Sequence, residues 1–212
     1  MIIAIDGPAG SGKTTVAKLL AKRLGIFYLD TGATYRALTY LALENNVDLS
    51  SAELLNKLAR NLNLKLEAGK VYLDNQDISL EVREPRIDKS ISLVVVHPEV
   101  RKTMIELQRN LAQRGDFVVE GRDITTVVFP EAEHKFYLDA DAKVRSRRRF
   151  AELKDKGLKL KLQEVEKDLS KRDHADKNRK VGPLKISDEA RVIDTTGLTI
   201  EGTAREILKY LK

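Results

Sequence analysis

Gly7-Pro8-Ala9-Gly10-Ser11-Gly12-Lys13-Thr14 gathers glycines, a lysine and a hydroxyl into one short stretch. It follows an apolar run, Ile2-Ile3-Ala4-Ile5, and opens a helix-like run from Val16 to Leu24. Strand, glycine-rich turn and helix in that order are the setting a phosphate-binding loop requires. Without Cβ atoms in the way, the backbone can curl so that successive N–H groups point into one concavity. The concavity lies on a helix N-terminus, whose unpaired donors and dipole favour an anion. Lys13 adds a mobile cation for the outer phosphates, and Thr15 continues the cradle into the helix. The Thr14 hydroxyl suits a magnesium ion, which keeps its other positions for water and phosphate. The loop therefore predicts a nucleoside triphosphate, without saying what is done with it.

Arginines recur where strands give way to loops and in one charged segment: Arg36, Arg101, Arg122, Arg172 and Arg179. A guanidinium forks onto phosphate with several fixed donors and keeps its charge when desolvated. Phosphoryl transfer spreads negative charge over oxygens between donor and acceptor, so position and positive charge are most of what a protein must supply. An acceptor that is itself a phosphate, with a second pKa of about 6, brings its own anionic oxygen and needs no strong base. The scattered His97, His134 and His174 then read as packing or solvated residues.

These groups need elements to hold them. Ile2 to Asp6 reads as a buried parallel strand, Thr15 to Leu24 as a helix ended by Gly25, and Phe27 to Asp30 as a second strand. A helix to about Glu44 follows and carries Arg36 near its start. Asp48 to Asn63 reads as another helix, with a capping box at Ser50-Ser51-Ala52-Glu53 and a stripe of Leu54, Leu55, Leu58 and Leu62. Leu64–Glu67 and Val71–Asp74 alternate apolar and charged around Ala68-Gly69, a β-hairpin with one dry face. Glu84 to Val96 reads as helical, although Val94-Val95-Val96 leaves strand open. Pro98 to Arg114 is a helix stopped by Gly115, with Val100, Met104, Leu107 and Leu111 inward. Phe117–Glu120 and His134–Leu138 are further strands, Asp139–Lys156 a helix closed by Gly157, Arg191–Asp194 a fifth strand and Thr199–Leu211 a closing helix. The whole is an α/β chain with a doubly wound five-stranded parallel sheet.

Leu158 to Gly182 is the most charged stretch. Composition alone makes it a solvated helix face. Yet Arg172, Asp176 and Arg179 fall at steps of four and three, on one helical side, and such a side can close over bound phosphates and exclude water.

Length and composition set the bounds. The chain has 212 residues, 42% hydrophobic, with no cysteine and a net charge of +6. One domain with insertions is the default for that length, and a cysteine-free chain suits a reducing compartment. The N-terminus runs directly into a strand rather than a basic-then-apolar leader, so a cytoplasmic protein away from membranes is expected. The positive balance implies acidic partners. Aromatic residues, at 5%, are too few for a single-strand stacking platform, so nucleic acid is not expected.

Asp30-Thr31-Gly32 with Tyr35-Arg36, Gly121-Arg122-Asp123, Thr125-Thr126-Val127-Val128-Phe129-Pro130, and Arg172-Asp173 through Asp176 to Arg179 together resemble the bacterial cytidylate kinase family, over essentially the whole chain. The resemblance implies one P-loop kinase domain over 1–212, with an inserted monophosphate-binding region at 31–97 containing the hairpin and a helical lid at 157–182. It implies ATP with magnesium as cofactors, CMP and dCMP as substrates, and a monomer. Carried over by motif, Arg36, Arg122 and Arg179 would hold the acceptor phosphate, with Thr31 beside them. Arg172 and Asp176 would engage ribose and phosphates as the lid closes. Ser92, Arg101 and Asp123 would read the base, whose amine beside an acceptor suits a carboxylate plus an arginine. Ser92 could instead bond its own helix backbone, and Asp123 could cap a helix or pair with a neighbouring arginine. Ala175 and Lys177 depart from some relatives, which bears on detailed lid contacts. Asp6 and Glu120 stand at strand ends where either a magnesium ligand or a structural hydrogen-bond acceptor would sit. Two other readings compete: a kinase for a hydroxylated metabolite, and an ATPase that tracks nucleic acid.

Overall fold

The structure, a computed structural model, describes residues 1–67, 69–113, 115–155 and 157–211. Five strands form one sheet in the order β2 (Phe27–Asp30), β6 (Phe117–Glu120), β1 (Ile2–Asp6), β7 (His134–Asp139), β8 (Arg191–Asp194). Ile3 lies opposite His134 and Phe136 opposite Arg191, both in parallel pairs. The doubly wound α/β sheet predicted from the alternating elements is present. Because the strand order reverses around β1, the loop leaving β1 sits at the place where such sheets bind ligands.

Contacts divide the chain into two compact units, residues 1–26 with 118–212, and residues 27–117. In the first, the apolar runs of the strands are buried on both faces, with Ile3, Ile5, Val118, Val119 and Leu138 wholly inside. Covering elements are α1 (Lys13–Leu24), α6 (Ala142–Asp155), α7 (Leu162–Asn178) and α8 (Ile200–Leu208). Gly25 ends α1 in the left-handed region, as its position predicts. Thr199 caps α8 by accepting from Gly202 N. α6 starts at Ala142, later than predicted, because Asp139 completes β7 and Asp141 accepts from the Lys143 and Val144 amides. Its predicted end, Lys156, lies outside the described residues.

The second unit packs α2 (Thr31–Glu44), α3 (Ala52–Arg60), α4 (Pro85–Val95) and α5 (Pro98–Leu111) around Leu38, Leu55, Val94, Val100 and Met104. β3 (Leu64–Glu67) and β4 (Lys70–Leu73) pair antiparallel, the predicted hairpin, with Leu64, Val71 and Leu73 on its dry face. A third strand, β5 (Gln76–Asp77), was not foreseen; Ile78 beyond it is buried and anchors it. Ala68 of the predicted turn lies outside the described residues.

Two helical expectations change. α3 starts at Ala52 with Ser51 as its cap, accepting from Leu54 N at 3.3 Å, so Glu53 is not placed for a capping box. Asp48 instead accepts from the Ser50 amide and hydroxyl, which shortens the helix, and Leu54 is exposed. α5 stops at Leu111, before Gly115, and its buried side carries Arg101, Ile105 and Gln108 besides Val100 and Met104, leaving Leu107 and Leu111 partly exposed. Arg114, its predicted last residue, lies outside the described residues.

Candidate active site

β1 delivers the loop and α1 receives it. Gly7 has φ of +149°. A Cβ there would stand 2.1 Å from the Leu138 carbonyl oxygen, so the residue must be glycine. Lys13, buried, bends back to donate to the Pro8 carbonyl at 2.8 Å. Burial and the nearby Arg122 cation pull its ammonium down to about 7, against the pull of Glu120, Asp6 and Asp176. The loop thus holds its lysine to its own backbone with a bond that a phosphate oxygen can replace.

Asp6, at the end of β1, is wholly buried and accepts from Ile124 N at 2.9 Å, Thr125 N at 2.8 Å and Thr125 Oγ1 at 2.7 Å. Burial raises its pKa although these donors oppose the rise. Its oxygens are committed to holding the π-helical turn Ile124–Val128 that follows Gly121-Arg122-Asp123, so Asp6 takes the structural one of its two readings. Glu120 likewise serves as a hydrogen-bond acceptor: Thr14 Oγ1 donates to its Oε1 at 2.7 Å. Hydroxyl and carboxylate form a pair of hard oxygen donors at the loop's end, a set that fits magnesium. No cluster of three or more potential metal-ligating side chains occurs among the described residues.

The same unit holds five of the predicted substrate residues: Arg122, Asp123, Arg172, Asp176 and Arg179. Arg122 Nε donates to Asp176 Oδ2 at 2.9 Å. Arg179 pairs with Asp123 at 3.0 Å and with Asp176 at 3.7 Å. Burial pushes the Asp176 carboxyl up, but Arg122, Arg172 and Arg179 outweigh it and hold the pKa low. Arg172, one turn before Asp176 on α7, is thus within electrostatic reach of the cluster. One geometric expectation fails. Arg179 is not on the helical face with Arg172 and Asp176, because α7 ends at Asn178 and Arg179 is extended. Its Nε donates to the Gly182 carbonyl, and the turn after the helix brings its guanidinium back to Asp176. Of the two alternatives to base reading, Asp123 shows the pairing with a neighbouring arginine.

The second unit holds the remaining predicted residues. Asp30 caps α2 by accepting from Ala33 N at 2.9 Å, which leaves Thr31 buried in the first turn. Arg36, on the same helix, pairs with Asp88 of α4 at 3.1 Å. Ser92 lies one turn beyond Asp88 on α4 and is exposed, so it is not buried against its own helix backbone. Arg101 is 1% exposed, with its guanidinium 5.5 Å from the centre of the Tyr35 ring. Gln108, two turns further along α5, donates to the Thr34 hydroxyl at 2.8 Å.

Asp88, Gln108 and Arg145 were missed at the level of sequence. The spacing of Asp88 and Ser92, one helical turn, was the available signal for the first. Of the histidines, His97 contacts the Leu49 carbonyl at 2.9 Å, a packing role.

A parallel sheet whose first strand feeds a glycine-rich loop into a helix, with arginines converging beside the lysine, defines a P-loop phosphotransferase. The family model described as cytidylate kinase matches residues 3–212. A cytidylate kinase of Caldanaerobacter subterraneus subsp. tengcongensis is 46% identical over 210 residues, covering 99% of this chain and 94% of that one. One of Desulfitobacterium hafniense is 46% identical over 209 residues, covering 97% and 90%. The chain belongs to the cytidylate kinase family. A solved structure of an uncharacterized protein from Eubacterium ventriosum shares the fold over 100% of this chain and 98% of that one, at 18% identity and a TM-score of 0.51.

Proposed function

We propose that this protein transfers the terminal phosphoryl group of ATP, bound with magnesium, to CMP or dCMP, giving ADP and CDP or dCDP for pyrimidine nucleotide metabolism. The observation that carries the reading is the set of arginines and carboxylates beside Lys13. Arg122 pairs with Asp176, and Arg179 pairs with Asp123 and Asp176. Those carboxylates are where acceptor phosphate oxygens would be. An incoming monophosphate exchanges with them, and Asp123, released from Arg179, turns its acceptors to the cytosine amine. Ser92 and Arg101, from residues 27–117, complete base recognition, and Thr31 and Arg36 hold the monophosphate.

Gly7, Pro8, Ala9, Gly10, Ser11, Gly12, Lys13, Thr14 and Thr15 cradle the triphosphate. Thr14 would hold magnesium, with Glu120 fixing the hydroxyl or a water of the ion. When bound, the metal neutralises charge on the outer phosphates. Lys13, Arg122, Arg172 and Arg179 meet the negative charge that develops between donor and acceptor. The acceptor oxygen is already anionic, so no side chain removes a proton from it. The segment 157–182 acts as a lid and 31–97 as the monophosphate-binding insertion. A cytoplasmic location fits the cysteine-free composition, and the protein acts as a monomer in this reading.

A panel of acceptors with Mg·ATP tests this. CMP and dCMP are phosphorylated, and UMP poorly. Turnover of a hydroxylated acid with CMP untouched favours the metabolite-kinase reading. Salt-sensitive nucleic-acid binding, with ATP consumption independent of any monophosphate, favours the ATPase.

A further inference from the structure

Arg145, on α6, belongs to neither the phosphate loop nor the arginine motifs, yet it is only 8% exposed. Its Nε donates to the Ala140 carbonyl at 3.0 Å. Its Nη1 donates both to the Ala9 carbonyl, inside the phosphate loop, at 3.0 Å and to Asp173 Oδ2, on α7, at 2.6 Å. The loop also lies directly on the backbone of this residue, since a Cβ on Gly10 would come within 2.9 Å of the Arg145 carbonyl oxygen. One guanidinium therefore joins the donor-binding loop to the helix that carries Arg172 and Asp176.

Stability alone does not call for such a device. A buried ion pair gives up hydration that its attraction barely recovers, and an apolar pair of the same volume would pack α6 against α7 as well. What an arginine adds is a rigid fork that holds acceptors on two different elements in a fixed relation. Asp173 is not saturated by it, for its Oδ1 is buried with no hydrogen-bond partner among the described residues. The carboxylate also acts on Arg122, helping to keep that guanidinium charged.

We infer that Arg145 and Asp173 are positioning residues that tie the lid helix to the phosphate loop, so that α7 presents Arg172 and Asp176 to the transferred group when the loop holds its donor. The inference rests on the lid reading above. A lid that is no longer tied samples outward positions, admits water and lets the triphosphate be hydrolysed instead of transferred.

The absence of cysteine permits a direct test. Lys22 on α1 and Lys167 on α7 are both exposed. A Lys22→Cys, Lys167→Cys chain carrying spin labels reports their separation with a non-hydrolysable ATP analogue and CMP. It then serves as the reference for Asp173→Ala, Asp173→Asn, Arg145→Lys and the Arg145→Lys, Asp173→Ala pair. In the reference, the nucleotides narrow the distance distribution. In Asp173→Ala and Arg145→Lys it stays broad, the ATP KM rises, and the share of ATP lost to hydrolysis rises about 5-fold or more. Asp173→Asn, which keeps an acceptor, recovers part of the loss. The pair is no worse than the worse single variant, because both remove one link. Singles that keep the reference partition between transfer and hydrolysis, or losses in the pair that simply add, overturn the inference. A reference whose labels do not respond to nucleotide overturns the lid reading itself. Melting curves verify folding, and if Arg145→Lys does not fold, Asp173→Ala and Asp173→Asn decide.

Discussion

The charge of Lys13 depends strongly on its surroundings. An unfolded lysine titrates near 10.5, whereas burial and Arg122 bring the folded one to about 7. Between those values the unfolded chain binds the extra proton, so stability of the nucleotide-free protein rises with pH from about 7 toward 10. Urea midpoints across that range measure it, and Lys13→Met, which has nothing to titrate, flattens the local rise while abolishing transfer. Asp123 makes a different prediction. Asp123→Ala leaves Arg179 without this partner and removes the carboxylate that would accept from the cytosine amine. The kcat/KM ratio of CMP over UMP then falls by about 10-fold or more, since mispaired buried polar groups are what discriminate. A variant that keeps full preference for CMP rejects Asp123 as the base reader. Asp123, Arg122 and Arg179 were singled out in advance because they fall in motifs that resemble those of a known family. Arg145 was not, because an arginine in Arg145-Ser146-Arg147-Arg148-Arg149 looks like any other on a solvated helix.

At the scale of elements, the glycine turn after β1 admits little change. Gly7→Ala would drive a methyl into the Leu138 carbonyl of β7. Strand or loop must move, at about 3 kcal/mol or more by the standards of overpacked cores, and the melting temperature and ATP binding should fall together. Removing the brace behind the π-helical turn acts elsewhere: Asp6→Ala strips three donors of their acceptor. A cost of about 3 kcal/mol is expected from thermal or urea unfolding. Helices and strands were legible where apolar residues mark the buried side, as in α1, β1 and the β3–β4 hairpin. The reading of α5 went astray for a physical reason. Its interior holds Arg101 and Gln108, and polar residues count as solvent-facing when periodicity is judged from hydrophobicity. The cap of α3 was misplaced by one residue because Ser50 and Ser51 are both good caps, and only Asp48, by occupying Ser50, decides between them.

For the molecule as a whole, the two compact units carry different halves of the proposed chemistry. The donor loop lies within residues 1–26 and 118–212, and Thr31, Arg36, Ser92 and Arg101 lie within 27–117. Hydrogen exchange should resolve them. Mg·ATP alone protects amides of the loop and the start of α1, whereas CMP alone protects those around Thr31 and Arg36 at the start of α2. Protection of the loop amides by CMP alone, with none around Thr31, would contradict the assignment of these regions. The sheet architecture followed from the order of strands and helices along the chain, and an inserted region at 31–97 was expected from the hairpin, although no linker or change of composition marks where a unit begins or ends. The outer strand β8 has a further consequence. It has four residues, with Arg191 and Asp194 exposed at its ends and the Arg191 guanidinium 3.6 Å from the centre of the Tyr210 ring. Another chain could align along that rim only by stranding charges against its own backbone, which guards the fold against edge-to-edge fibril growth even when the protein is concentrated.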